Sequence, residues 1–246
     1  MGMLISLSIL EYESELSENI NSLENSRAFS EIMKLIETGE IHDVHIDVMR
    51  PPMIPNKSRF SIPLIRKLYE KLRGKIPITL HLMVSDPFEV INEVNKFIEE
   101  EDRAKITIII QVESFNSEDE TIEAIKRIRE YGYKVGVCLN LPTPKERLTD
   151  NIASNADVIL FMTVPMGAGG QKFHEESIPR IEEFSQKFPN KIVKVDGGIN
   201  PETITKVWRA GARIAVVGSY ITANEKPEEA LLNLKKGIIN SCQKLS

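Results

Sequence analysis

The sequence predicts a (β/α)8 barrel on three observations. Eight short apolar runs recur along the 246 residues, at 4–10, 44–49, 76–84, 106–112, 134–139, 158–164, 192–195 and 214–217. Between them lie amphipathic stretches (for example 60–72, 88–98, 122–131, 178–188 and 201–210) whose apolar residues fall three and four apart, the helical period. Runs such as Ile106-Thr107-Ile108-Ile109-Ile110 lack in/out alternation, which marks strands covered on both faces and paired in parallel. Periodicity alone also admits a doubly wound sheet of eight strands, but eight such units in about 250 residues is the usual size of the barrel.

In chain order, strand one (4–10) is followed by 11–26, rich in Ser, Asn and Glu, which is long for a connection and expected at the surface. Strand two ends in His45-Ile46-Asp47-Val48-Met49, and Pro51-Pro52 leads into a segment, 53–56, expected above the barrel mouth before helix 60–72. His42 is expected in the loop before that strand. Strand three carries His81 between apolar neighbours. Asp86-Pro87 then offers a cap and a first-turn proline for helix 88–98, whose acidic end at 99–102 reads as solvated. Strand four leads to helix 122–131, and Thr143-Pro144 after strand five is expected to start a helix. Strand six runs into Gly167-Ala168-Gly169-Gly170, and strand seven ends in Asp196-Gly197-Gly198, with Asn200-Pro201 starting helix 201–210. Strand eight ends in Gly218-Ser219. No composition shift, Gly/Ser linker or charge block interrupts the chain, so one domain over 1–246 is expected.

Composition narrows the function classes. With 41% hydrophobic and 27% charged residues the chain can bury a core, which excludes collagenous, low-complexity and mostly disordered classes. The formal charge of −5 offers no general attraction to nucleic acid or an anionic membrane, so any anionic ligand must be held locally. Cys138 and Cys242 form neither a disulfide framework nor a zinc knuckle. The longest uncharged stretch, 158–171, is shorter than the roughly 20 apolar residues of a membrane span, and 1–10 lacks the basic start of a signal peptide. A soluble, cytoplasmic protein is expected.

On a barrel, chemistry sits at the C-terminal ends of the strands. Strand side chains alternate, so His45 and Asp47 project to one side and could form two ligands of a metal. Asp196 ends an otherwise apolar strand, where a buried carboxylate needs a cation or donors beside it. In a closed barrel strands two, three and seven can aim at one mouth, and His45, Asp47, His81 and Asp196 then supply two imidazoles and two carboxylates, a set suited to Zn, Fe(II), Mn or Co. The competing reading is two helix-capping aspartates and two core histidines. Glycine clusters after strands six, seven and eight (Gly167, Gly169 and Gly170; Gly197 and Gly198; Gly218 with Ser219) let backbone N–H groups approach a phosphate. Met49, Met83 and Met162 end or nearly end strands and read first as core filler.

These pieces, in order, resemble the ribulose-phosphate 3-epimerase family over nearly the whole chain. The matching residues are Ser8-Ile9-Leu10, His45-x-Asp47-x-Met49 with Ile54-Pro55-Asn56, His81-Leu82-Met83-Val84, Val135-Gly136, Met162-Thr163-Val164, Gly167-x-Gly169-Gly170-Gln171-Lys172-Phe173, Val195-Asp196-Gly197-Gly198-Ile199 and Gly218-Ser219. The resemblance implies a barrel of the ribulose-phosphate-binding type, with one divalent metal cation per chain held by His45, Asp47, His81 and Asp196. It implies that Asp47 and Asp196 move protons on opposite faces of the sugar C3 through an enediolate, interconverting D-ribulose 5-phosphate and D-xylulose 5-phosphate. Ser8, Met49, Met83, Met162, Gly167, Gly169, Gly170, Gly197, Gly198, Gly218 and Ser219 would face the substrate and its phosphate. The partner is then a small sugar phosphate, with no nucleic acid and no membrane, and a homo-oligomer is compatible.

The sequence departs from the family pattern around the mouth. Arg50-Pro51 replaces an acid and a glycine, Gln111 replaces a customary histidine two residues before Glu113, Asn140-Leu141-Pro142 replaces an Asn-Pro loop, and Met166-Gly167-Ala168-Gly169-Gly170 replaces Pro-Gly-Phe-Gly-Gly. Two alternatives follow: a 3-epimerase of a hexulose 6-phosphate, and a non-catalytic phosphosugar-binding barrel. The orotidine-phosphate decarboxylase and hexulose-phosphate synthase type of barrel is disfavoured, because it needs a D-x-K-x-x-D strand motif and no lysine stands two residues after Asp47.

Overall fold

Eight strands pair in parallel in sequence order and close through β1 and β8 into a barrel: β1 (Leu4–Ser8), β2 (Ile41–Met49), β3 (Ile78–Met83), β4 (Ile106–Gln111), β5 (Lys134–Leu139), β6 (Val158–Met162), β7 (Ile192–Asp196) and β8 (Ile214–Val217). This is a computed structural model, and it describes residues 2–243. Helices cover the outer face, among them Arg27–Glu37, Ile62–Leu72, Pro87–Val94, Glu118–Glu130, Asp150–Asn155, Ser177–Lys187, Thr203–Arg209 and Pro227–Gln243. Their starts are capped where the chain offers a short polar side chain. Ser61 accepts from the Leu64 N–H, Asp86 from Phe88, Ser117 from Glu120 and Thr149 from Ile152.

The alternation of strand side chains sorts the interior into floors. On β2 the inward positions are Asp43, His45, Asp47 and Met49; on β3 they are Thr79, His81 and Met83; on β7 they are Lys194 and Asp196. Near the N-terminal end of the barrel, Lys194 reaches across from β7 to β2, its Nζ 3.1 and 3.3 Å from the Asp43 carboxylate oxygens and 3.2 Å from Thr79 Oγ1. The Ser6 hydroxyl also donates to Asp43. Burial alone would raise the Asp43 carboxyl, but Lys194 and Ser6 outweigh it and hold the group below the usual carboxylate range. Ile109, Cys138, Leu160 and Val216 fill the interior on the side of β4, β5, β6 and β8.

Several local expectations are corrected. Residues 11–26 are not a surface loop: a 3-10 turn (Leu10–Tyr12) and a helix (Glu13–Glu18) bury Tyr12, Leu16 and Leu23. Glu15 accepts from the Ala28 N–H and Tyr12 donates to Glu31, so polar residues there serve the packing. β2 starts earlier than its apolar run because Asp43 is buried by its ion pair, and His42 lies within the strand, exposed, rather than in a loop. Thr143-Pro144 starts only a 3-10 turn (Lys145–Arg147), and the helix begins at Asp150 behind Thr149. Asn200 accepts from Glu202 and Thr203 N–H groups, and the regular helix opens at Thr203. Among the described residues no helix is long and apolar enough to cross a membrane.

Candidate functional site

At the C-terminal end of the barrel the inward positions of β2, β3 and β7 converge. The β2–β3 register sets Asp47 beside His81, and β6–β7 sets Met162 beside Asp196. His45 Nε2 lies 3.3 Å from His81 Nδ1, 3.2 Å from Asp47 Oδ1 and 3.8 Å from Asp196 Oδ2. His81 Nδ1 lies 3.1 Å from Asp47 Oδ1 and 4.0 Å from Asp196 Oδ2. One ligand atom from each of the four residues thus falls within 4.8 Å of the others. The Ser8 hydroxyl donates to the remaining Asp47 oxygen at 2.9 Å. The Thr163 N–H and hydroxyl both donate to the Asp196 carbonyl oxygen, fixing the end of β7.

This donor set fits a divalent transition cation. Both imidazoles are fully buried, each turns one ring nitrogen to the common centre, and two carboxylate oxygens complete a mixed N/O group of the kind such ions prefer. Electrostatics separate the two acids. For Asp47, burial raises the carboxyl, but His45 and His81 outweigh it and hold the group strongly ionised. Burial, then the negative Asp47, push Asp196 well above the carboxylate range, and Lys194 below only partly opposes them. Burial pulls the His45 imidazole down, favouring its neutral form.

A pocket opens directly above Asp47 and Asp196. Ser8, Met49, Met83, Met162, Gly167, Gly169, Gly170, Gly197, Gly198, Gly218 and Ser219 all line it, while His45 and His81 lie beneath. The loop after β2 reaches over this mouth: Ile54 packs with Met49 and Met83, and Lys57 Nζ donates to the Gly167 carbonyl at 2.8 Å. Gly197 and Gly198 have φ of 122° and 63°, and a side chain at 198 would meet the Phe173 backbone, so glycine is needed there for close packing as well as for the turn.

Three features escaped the sequence reading. Glu11 lines the pocket, because the segment 11–26, which its composition places at the surface, starts over the mouth. Arg50 is not part of the pocket lining: its guanidinium donates to the carbonyls of Met49, Arg59 and Phe60, stapling the loop after β2 to its own return. Gln111 is fully buried with its amide nitrogen 2.8 Å from His81 Nε2. The signal for Gln111 was its position at the end of β4, on the inward parity shared with Ile109. Glu113 accepts from the Asn140 N–H and Asn140 from Met166, so these residues tie the ends of β4, β5 and β6 together.

Comparison with known proteins agrees in sequence and in shape. The profile of the ribulose-phosphate 3 epimerase family matches residues 15–222. The cytoplasmic isoform of ribulose-phosphate 3-epimerase from Oryza sativa subsp. japonica is 31% identical over 203 residues, covering 82% of this chain and 84% of its own. Ribulose-phosphate 3-epimerase from Bacillus subtilis is 31% identical over 210 residues, covering 82% and 90%. Among solved structures, 3-keto-L-gulonate-6-phosphate decarboxylase from Vibrio cholerae superposes with a TM-score of 0.65 at 8% identity, over 98% of this chain and 99% of that one. A 3-hexulose-6-phosphate synthase gives 0.61 at 17%, over 97% and 100%. At such identities these two structures speak for the fold alone.

Proposed function

The chain belongs to the ribulose-phosphate 3-epimerase family and is an isomerase of carbohydrate phosphates; on that premise we propose that it interconverts D-ribulose 5-phosphate and D-xylulose 5-phosphate, with Asp47 and Asp196 as the proton-transferring pair. The observation that carries this reading is the pair of acids, Asp47 and Asp196, brought together on the floor of one pocket with His45 and His81 beneath them. Inversion at C3 needs one group to remove a proton and another to return one from the other face. Asp47 and Asp196 are the two groups placed to take these roles, one accepting the C3 proton as a carboxylate and the other donating as the acid, and the reverse reaction exchanges the roles.

His45, Asp47, His81 and Asp196 would hold one divalent cation (Zn, Fe(II), Mn or Co), which when bound supplies Lewis-acid stabilisation of the charge developing on the substrate carbonyl oxygen in the enediolate. Met49, Met83 and Met162 present apolar surface around the acids and keep water from the sugar carbon. The glycine turns at 167–170, 197–198 and 218–219 offer backbone donors at the rim, where the phosphate would sit. The same reading includes one domain over 1–246 and a cytoplasmic location. A coupled assay of ribulose 5-phosphate conversion, run beside hexulose 6-phosphates after loading defined metals, tests it. Conversion of the pentulose phosphate is expected; turnover of hexulose phosphates alone, or none with a metal-loaded folded protein, would overturn the proposal.

A further inference from the structure

His81 stands between two partners that make opposite demands on it. Its Nδ1 faces the cluster, 3.1 Å from Asp47 Oδ1, and its Nε2 faces the Gln111 amide nitrogen at 2.8 Å. An amide nitrogen can only donate, so in this arrangement Nε2 is the acceptor and the ring proton resides on Nδ1, where it meets Asp47. The same ring cannot then offer Nδ1 to a cation. Gln111 Oε1 is meanwhile buried without a partner, a costly state for an acceptor. A half-turn of the amide exchanges its two ends: Oε1 then faces Nε2, accepts a hydrogen bond from Nε2–H, and leaves Nδ1 with a free lone pair toward the cluster.

We propose that Gln111 is the positioning residue of His81, a two-state amide that donates to Nε2 when the centre is metal-free and accepts from Nε2–H when Nδ1 ligates a cation. The inference rests on the metal reading of the four-residue cluster given above. A histidine ligand is oriented by whatever binds its other ring nitrogen, and loss of such a partner typically costs about 10–100-fold in metal affinity. Gln111 is suited to this because it can satisfy either tautomer, whereas an aliphatic residue satisfies neither and a carboxylate satisfies only the ligating one. The tautomer change breaks the Nδ1–H bond and forms an Nε2–H bond on the same ring by proton exchange, so the ring stays neutral and nothing is oxidised or reduced.

The test uses the full chain with Zn(II) as probe. Chelator competition measures affinity, nitrogen-15 NMR reads the ring tautomer of His81 with and without Zn(II), and thermal melting verifies folding. Wild type is expected to pass from the Nδ1–H to the Nε2–H form on binding. Gln111→Leu should lose about 10–100-fold in affinity, while Gln111→Glu, near in shape, should hold the Nε2–H form without Zn(II) and keep affinity within about threefold of wild type. Unchanged affinity in a folded Gln111→Leu protein, or loss of affinity in Gln111→Glu equal to that in Gln111→Leu, overturns the role of Gln111 and leaves the metal reading standing. Failure of wild type to bind Zn(II), Mn(II), Fe(II) or Co(II) overturns the metal reading itself, and this inference with it.

Discussion

Asp196 is the residue whose replacement separates chemistry from architecture. An amide cannot exchange the proton, so Asp196→Asn is expected to abolish epimerisation. Because its oxygen is also a weaker ligand, metal occupancy must be measured on the same sample. At full occupancy, residual washing of the C3 proton into deuterated solvent without inversion would leave Asp47 as the surviving acid; wild-type turnover would remove the two-acid scheme. Gly218 offers a gentler probe of the rim. A methyl there would lie at ordinary contact distance, 3.4 Å from Ser8 Cβ, so Gly218→Ala, with its folding checked by thermal melting, is expected to raise KM for phosphorylated substrate about tenfold by displacing one charge-assisted hydrogen bond and to leave metal content unchanged. The four cluster residues are legible as strand residues on one parity, and the pocket-lining glycines as clusters in the turns that follow strands six, seven and eight. Gln111 and Arg50 were legible only as departures: what an amide or a guanidinium touches depends on neighbours 30 and about ten residues away, which a motif does not record.

Among the elements, β7 carries two kinds of information, because Lys194 belongs to the lower floor and Asp196 to the upper. Lys194→Met leaves Asp43 buried without its cation, which is expected to cost about 3–5 kcal/mol. The pH dependence follows from Asp43 being held below its unfolded value. Its stabilisation is present above the ordinary carboxylate range and is lost as pH falls through the native value; in the variant, uncompensated burial raises the carboxyl, so the protein is penalised as pH rises. Denaturant melts should therefore show the gap between wild type and Lys194→Met widening from about pH 4 to pH 7, and a gap independent of pH would place the cost elsewhere. All eight strands were visible as apolar runs because parallel strands are covered on both faces. The segment 11–26 was not, since its few buried apolar side chains are diluted by Ser, Asn and Glu that bond locally, and Thr143-Pro144 shows that a cap and a proline fix a turn without committing the chain to a helix.

For the whole molecule, closure of the sheet is what lets residues 45, 47, 81 and 196 meet, so a cation bound among them would tie β2 and β3 to β7 across the barrel. Saturating Zn(II) or Co(II) is expected to raise the melting temperature, by the equivalent of about 2.7 kcal/mol at one hundred times the dissociation constant. A chelator should reverse the shift, and indifference to both would argue that the cluster is structural. The stacking of floors has a consequence for how such a barrel changes over generations or under design. The lysine that neutralises the lower floor also draws the Asp196 carboxyl down, against the larger effect of burial, and draws the His45 imidazole down in the same direction as burial. Mutations selected for robustness of the base are therefore simultaneously adjustments of reactivity at the mouth. A library that diversifies only the rim loops inherits that bias unaltered, whereas one that repacks the base retunes every active variant at once.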